Sequence, residues 1–112
     1  MTNYERGNII LVPFPFSDQT TTKKRPTVVI SADSYNGISP DIIIMAITSR
    51  TEQTFNIECF IEDWQNAGLL KPSTMKPAIS TIEKSLVLKK LGRLSPRDLT
   101  SMDKILRKLI NL

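Results

Sequence analysis

Histidine is absent from the 112-residue sequence, and cysteine occurs once, at Cys59. Without histidine there is no Ser-His-Asp or Cys-His nucleophile, no two-histidine acid/base pair and none of the common zinc sites. A lone cysteine excludes an internal disulfide and a multi-cysteine zinc site. Set in an alternating apolar stretch, it reads as a packed thiol rather than a nucleophile. Long apolar runs are missing too, since none nears the roughly 18 residues that a membrane helix needs. The opening M-T-N-Y-E-R-G-N does not resemble a signal peptide, and its apolar stretch Ile9 to Val12 stops at Pro13. The cytoplasm is the expected location, with no membrane partner. Neither a phosphate-binding GxxxxGK pattern nor GxGxxG occurs, so no nucleotide-cradling loop is expected. No carboxylate pair has a spacing that demands a metal, and there is no internal repeat or low-complexity segment.

What is present fits one domain over residues 1–112, long enough for a single compact core. Hydrophobic residues make up 40% and charged residues 23%, the balance of a globular protein. Lysine and arginine number 15 against 11 acidic residues, giving a net charge of +4 and a pI near 9.4. That excess favours a polyanionic partner and is equally compatible with ordinary solubility.

The stretch around which the chain is organised is K-K-R-P-T-V-V-I-S, Lys23 to Ser31. Here cations meet a proline and then a β-branched strand, Thr27 to Ser31. Pro26 fixes its own φ and pushes Arg25 toward extended geometry, so the guanidinium stands at a stiff strand entrance. Such a residue can hold a phosphate, or simply end a solvated loop. Before it, Asn8 to Phe16 reads as a first strand that ends near Pro13 or lies at a sheet edge. The polar segment from Ser17 to Lys24 reads as a long loop. After it, A-D-S-Y-N-G-I-S-P is turn-rich, and Asp41 to Thr48, D-I-I-I-M-A-I-T, is too densely apolar for one wet face. It must be a central strand covered on both sides. Polar Thr48, Ser49 and Arg50 close it.

Phe55 to Ile61 alternates as a fourth strand, with Phe55, Ile57, Cys59 and Ile61 on one side. Glu62 to Gly68 reads as a single helical turn stopped by Gly68, with Trp64 plugging the core edge. Leu69 to Pro77, with two prolines, reads as an irregular connection. Ala78 to Ile82 and Leu86 to Leu94 read as two further strands. The last element is a helix, with Ser95 at the N-cap, Pro96 at its first position and Asp98 where a carboxylate answers free amides and the dipole. Leu99, Met102, Leu106, Leu109 and Ile110 line its apolar face, with Ile105 beside it. Several short strands and one terminal amphipathic helix imply a mainly β fold, a small, strongly bent barrel or sheet with the helix packed across it.

Six stretches in fixed order carry a more specific signal: R-G-N-I-I-L-V-P-F-P-F, K-K-R-P-T-V-V-I-S, D-I-I-I-M-A-I-T-S, A-G-L-L-K-P-S, S-T-I-E-K-S-L and K-K-L-G-R-L-S. Together the chain resembles a MazF/PemK-type toxin of a type II toxin–antitoxin system, from Arg6 to the last helix. The resemblance implies an SH3-like barrel that forms a homodimer and a sequence-specific, metal-independent endoribonuclease acting on single-stranded mRNA. It further implies attack of the RNA 2′-hydroxyl on its own phosphate, leaving a 2′,3′-cyclic phosphate and a 5′-hydroxyl, and an acidic cognate antitoxin whose tail covers the RNA groove. The family's R-P arginine and I-T-S threonine fall on Arg25 and Thr48 as catalytic residues. Lys24, Ser49, Lys76 and Ser17 are the candidate substrate contacts, and no cofactor is expected. One departure stands in the loop S-T-M-K-P-A-I-S-T-I-E, which has Lys76 where the family's basic residue is expected and Ala78 near its acidic one. Two other readings are a gyrase-binding, CcdB-like toxin of the same fold, whose family depends on a C-terminal tryptophan region, and a catalytically silent barrel kept for antitoxin binding and autoregulation. The only tryptophan here is Trp64.

Overall fold

The computed structural model describes residues 3–13, 23–49 and 59–112. They form six strands, β1 (Asn8–Pro13), β2 (Lys24–Val29), β3 (Asp41–Thr48), β4 (Cys59–Phe60), β5 (Thr74–Glu83) and β6 (Lys89–Arg93), and two helices, α1 (Asp33–Ile38) and α2 (Pro96–Ile110). The strands make one antiparallel sheet in the order β4-β5-β3-β2-β1-β6. The fold is the mainly β, curled sheet with a C-terminal helix that the sequence implies.

The dense apolar run of β3 is central because each of its faces has a core to enter. Met45 and Ile47 pack with Ile9, Val28 and Met75 beneath α2, which adds Met102, Leu99 and Leu106. Ile42 and Ile44 point the other way and pack with Ile10, Val12, Val29 and Ile82. Two-residue alternation thus supplies two cores from one strand. Each of the fully buried side chains among these, such as Ile9, Ile10, Val28 and Met45, stabilises the fold by about 1.5–3 kcal/mol relative to exposure. Trp64 packs against the first core, as does Cys59. Burial is the main cause that pushes the Cys59 thiol up from its ordinary pKa, which makes it a packing group and a poor nucleophile at neutral pH.

Several boundaries differ from the sequence reading. β1 ends at Pro13 and is not an edge, because it pairs with β2 on one side and β6 on the other; Phe14 to Phe16 lie outside the described residues. β2 begins at Lys24, so Lys24 and Arg25 are strand residues rather than a strand entrance. Pro26 is tolerated there because the β2–β3 ladder runs over Thr27 to Val29, and at residues 24–26 β2 pairs with β1. The stretch after β2 contains the short helix α1, whose buried Asn36 is tied to Ser31 through an Nδ2–H bond of 3.0 Å to its carbonyl. β5 starts at Thr74, not Ala78, and accommodates Pro77 in a bulge: Met45 pairs with Ile79 but Ala46 with Lys76, leaving two extra residues on β5. β6 starts at Lys89 because Lys84–Leu86 winds into a 3-10 turn. In the predicted fourth strand only Cys59 to Ile61 fall among the described residues. On α2, Met102 is buried, whereas Ile110 is 57% exposed and does not face the core.

The two ends of the curled sheet meet through the turn that follows β4. Ala67 N–H donates to Asp63 O at 3.0 Å, and Gly68 follows with φ +89°. A Cβ on Gly68 would lie 2.1 Å from Leu91 O, and one on Gly92 would lie 2.2 Å from Ala67 O. Backbone therefore touches backbone along this seam, and both glycines are required by contact. The turn is fastened to α2 by Asp98, a fully buried carboxylate that accepts from Glu62 N–H and Asp63 N–H, each at 2.9 Å. Ser95 Oγ–H donates to Asp63 at 2.6 Å, and Arg97 donates to both Asp63 oxygens at 2.8 Å. Asp63 is consequently held at a pKa of about 2, first by the Arg97 hydrogen bonds and then by that of Ser95.

Candidate functional site

The seam ends in Leu69, Leu70 and Lys71, and these stand across from the ends of β1, β2, β3 and β6. Between them opens a groove of about 600 Å3. Its floor is apolar, from Leu11, Pro26, Ile47 and Leu91. These residues continue the face of the sheet that α2 covers further along, so the floor is the exposed extension of that core. Its rim is cationic, with Lys24 and Arg25 on β2, Lys71 after the seam and Lys89 on β6. Among the described residues that line it there is no carboxylate, so the four charges add rather than cancel. Leu70 stands at the edge, 94% exposed. The Ser73 hydroxyl donates to Lys71 O at 2.8 Å and fixes the turn that presents Lys71.

Arg25 and Thr48, distant in the chain, lie toward the same end of two neighbouring antiparallel strands, β2 and β3. β2 and β3 pair as Thr27 with Ala46, Val28 with Met45 and Val29 with Ile44. The ladder stops at Thr27 and Ala46, and two residues beyond that pair stand Arg25 on β2 and Thr48 on β3. On the outer sides, Val12 of β1 pairs with Arg25 and Thr74 of β5 pairs with Thr48. Arg25 also reaches the groove, whereas Thr48 sits between two lining residues, Ile47 and Ser49, without lining it.

Of the residues singled out in the sequence, Arg25, Lys24 and Ser49 are brought together at the groove, and Thr48 adjoins it. Lys76 lies on β5 opposite Ala46, exposed and not among the groove's lining. Ser17 lies outside the described residues. Lys71 and Lys89 were not singled out. Lys71 sat within A-G-L-L-K-P-S, and Lys89 two positions before Leu91 on the edge strand, where only the pairing of Leu11 with Lys89 reveals its place. Among the described residues no three of His, Cys, Asp or Glu gather into a metal-binding group.

A curled antiparallel sheet with a helix across one face and a cation-rimmed groove at its mouth defines a small β domain suited to an anionic ligand. Residues 5–110 match the family described as the PemK-like, MazF-like toxin of type II toxin–antitoxin systems, and the chain belongs to that family. Compared by sequence with curated proteins, it has no significant match. Among solved structures it is similar to MazF from Deinococcus radiodurans, with a TM-score of 0.77, 17% identity and 100% of both chains covered. It is also similar to an endoribonuclease from a Mycobacterial species, with a TM-score of 0.79 at 17% identity, covering 100% of this chain and 95% of that one. A third likeness is to a Mycobacterial endoribonuclease in complex with its cognate antitoxin, at 0.78 and 15%, covering 100% and 97%. At these identities the structural likeness is one of fold. Among the described residues no helix is long and apolar enough to cross a membrane.

Proposed function

We propose that this toxin is a sequence-specific endoribonuclease that cuts single-stranded RNA without a metal, with Arg25 and Thr48 at the reacting phosphate. The observation that supports the proposal is a groove rimmed by four cations, Arg25 among them, with Thr48 next to its lining residues Ile47 and Ser49. In the reaction, the ribose 2′-oxygen attacks the adjacent phosphorus and the bond to the 5′-oxygen breaks. The products are a 2′,3′-cyclic phosphate and a 5′-hydroxyl, which takes up a proton. Arg25 grips nonbridging phosphate oxygens through paired N–H donors and stabilises the charge that builds on the phosphorane. Thr48 holds a phosphate oxygen or the attacking hydroxyl. A guanidinium is too weakly acidic to give or take protons readily near neutrality, so electrostatics and in-line positioning supply most of the acceleration, and protons pass through water. RNA is selected over DNA because the nucleophile is the 2′-hydroxyl.

Lys24, Lys71 and Lys89 follow the phosphates along the groove, Ser49 adds a hydroxyl, and bases lie on the apolar floor beside Leu70. Lys76 and Ser17 remain further substrate contacts in this reading. The same cations receive the acidic tail of a cognate antitoxin, which competes with RNA in a salt-sensitive manner. The active form is a homodimer in the cytoplasm. The test is a long single-stranded RNA incubated with purified protein in EDTA, with both product ends mapped. Cuts at repeated short sites with cyclic phosphate ends are expected, and Arg25→Ala should slow cutting by about a hundred- to a thousand-fold. Intact RNA at high concentrations of the wild-type protein refutes the proposal.

A further inference from the structure

Two side-chain hydroxyls are buried among the described residues with no hydrogen-bond partner, Thr27 Oγ1 in the middle of β2 and Thr74 Oγ1 at the start of β5. Each residue is 1% exposed. A buried hydroxyl without a partner costs about 1–3 kcal/mol, and valine has nearly the same shape without that cost. The two differ in what faces them. Thr27 pairs across the sheet with Ala46, which offers nothing polar. Thr74 pairs with Thr48.

Directly paired residues of an antiparallel ladder place their Cβ atoms about 4.5–5.5 Å apart on one face, within reach of a Thr–Thr hydrogen bond. Threonine is stiff at χ1, so such a pair has few arrangements. We infer that Thr74 is a positioning residue for Thr48, its hydroxyl donating to Thr48 Oγ1 when Thr48 turns its own proton toward a phosphate oxygen. Thr74, 1% exposed, touches no substrate. Its donation strengthens the bond that Thr48 gives the phosphate, since hydrogen bonds in series polarise one another. Among the described residues the Thr74 hydroxyl has no partner, and its hydrogen bond forms only as Thr48 turns toward the oxygen on which charge builds in the transition state. A contact of that kind accelerates the chemical step rather than binding. No bond to Thr74 is made or broken. This inference rests on the ribonuclease reading and on Thr48 acting at the phosphate.

The test compares Thr74→Val, Thr74→Ser and Thr27→Val with wild type by single-turnover RNA cleavage at saturating enzyme, by RNA binding and by thermal melting. Thr74→Val should melt no lower than wild type, bind RNA as tightly, and cut about five- to ten-fold more slowly, the worth of one hydrogen bond. Thr74→Ser should restore the rate to within about twofold, because it returns the hydroxyl that Thr48 faces. Thr27→Val, which deletes an equally buried hydroxyl paired only with the apolar Ile10 and Ala46, should cut at the wild-type rate. Cleavage by Thr74→Val at the wild-type rate, an equal slowing in Thr27→Val, or a slowing accompanied by a lower melting temperature each overturns the inference while the ribonuclease reading stands. If wild type itself leaves the RNA intact, that reading fails and takes this one with it.

Discussion

Asp98 is where the structure makes its sharpest claim about stability. The expected role of this residue was to answer the free amides of its own helix. Instead its two oxygens serve another segment, accepting from Glu62 N–H and Asp63 N–H at 2.9 Å each. Hydrogen bonds to a charged acceptor are worth about 1.5–3 kcal/mol each. Removing the carboxylate from a fully buried position forfeits two of them and leaves the amides without acceptors. Asp98→Ala should therefore lose about 3–5 kcal/mol, a fall in melting temperature of about 12–20 °C for a chain of this size. Asp98→Asn keeps the shape but turns an NH2 group toward one of two donors, so it should recover less than half of the loss. Ser95→Ala, which removes the N-cap, should cost only about 1 kcal/mol. Urea unfolding of the three variants gives these differences, and hydrogen exchange at the Glu62 and Asp63 amides reports the local effect. A loss under about 1 kcal/mol in Asp98→Asn would refute the reasoning, since the shape is preserved and only the acceptor is changed.

Two further outcomes concern charge. Asp63 has a folded pKa of about 2, below the usual carboxylate value, so its pairing with Arg97 stabilises the protein above about pH 4 and that contribution is lost as pH falls through about 2. Arg97→Ala should unfold at lower urea than wild type at neutral pH, with the gap closing between about pH 4 and pH 2; a gap constant down to pH 2 contradicts the assignment. In a Thr48→Ala background that binds without cutting, Lys71→Gln and Lys89→Gln should each reduce the slope of log affinity against log salt by about 0.7 for single-stranded RNA. An unchanged slope would remove that lysine from the groove's phosphate path.

Much of the fold was legible where one local rule met one tertiary need. β3 was readable to the residue because an apolar run without alternation has only a two-faced burial to satisfy, and Ile42 and Met45 enter separate cores. The start of α2 was readable because Ser95 and Pro96 act locally. The failures are non-local. α1 lacks a side-chain cap bond and contains Gly37, and is tied to the sheet through Asn36 and Ser31. Pro77 suggested a break where a two-residue bulge absorbs it. At the site, motif residues Arg25, Lys24 and Ser49 were legible, but Lys71 and Lys89 are neighbours only after the sheet has curled. Nothing in their local sequence separates them from other surface lysines. The partnership of Thr48 with Thr74 is likewise a property of register, 26 positions apart in the chain.

The glycine seam has a bearing on how substrate preference can change. Gly68 and Gly92 bring the start of one groove wall so near the strand bearing Lys89 and Leu91 that a Cβ at either position would collide with main-chain atoms. A larger residue at either position would force the strands apart, and no smaller one exists. The width of the groove at this end is thus pinned by an irreducible spacer, indifferent to ordinary drift in side-chain size. Adaptation to a new RNA sequence is left to whatever projects over the groove from its other margins, while the gauge of the track stays constant.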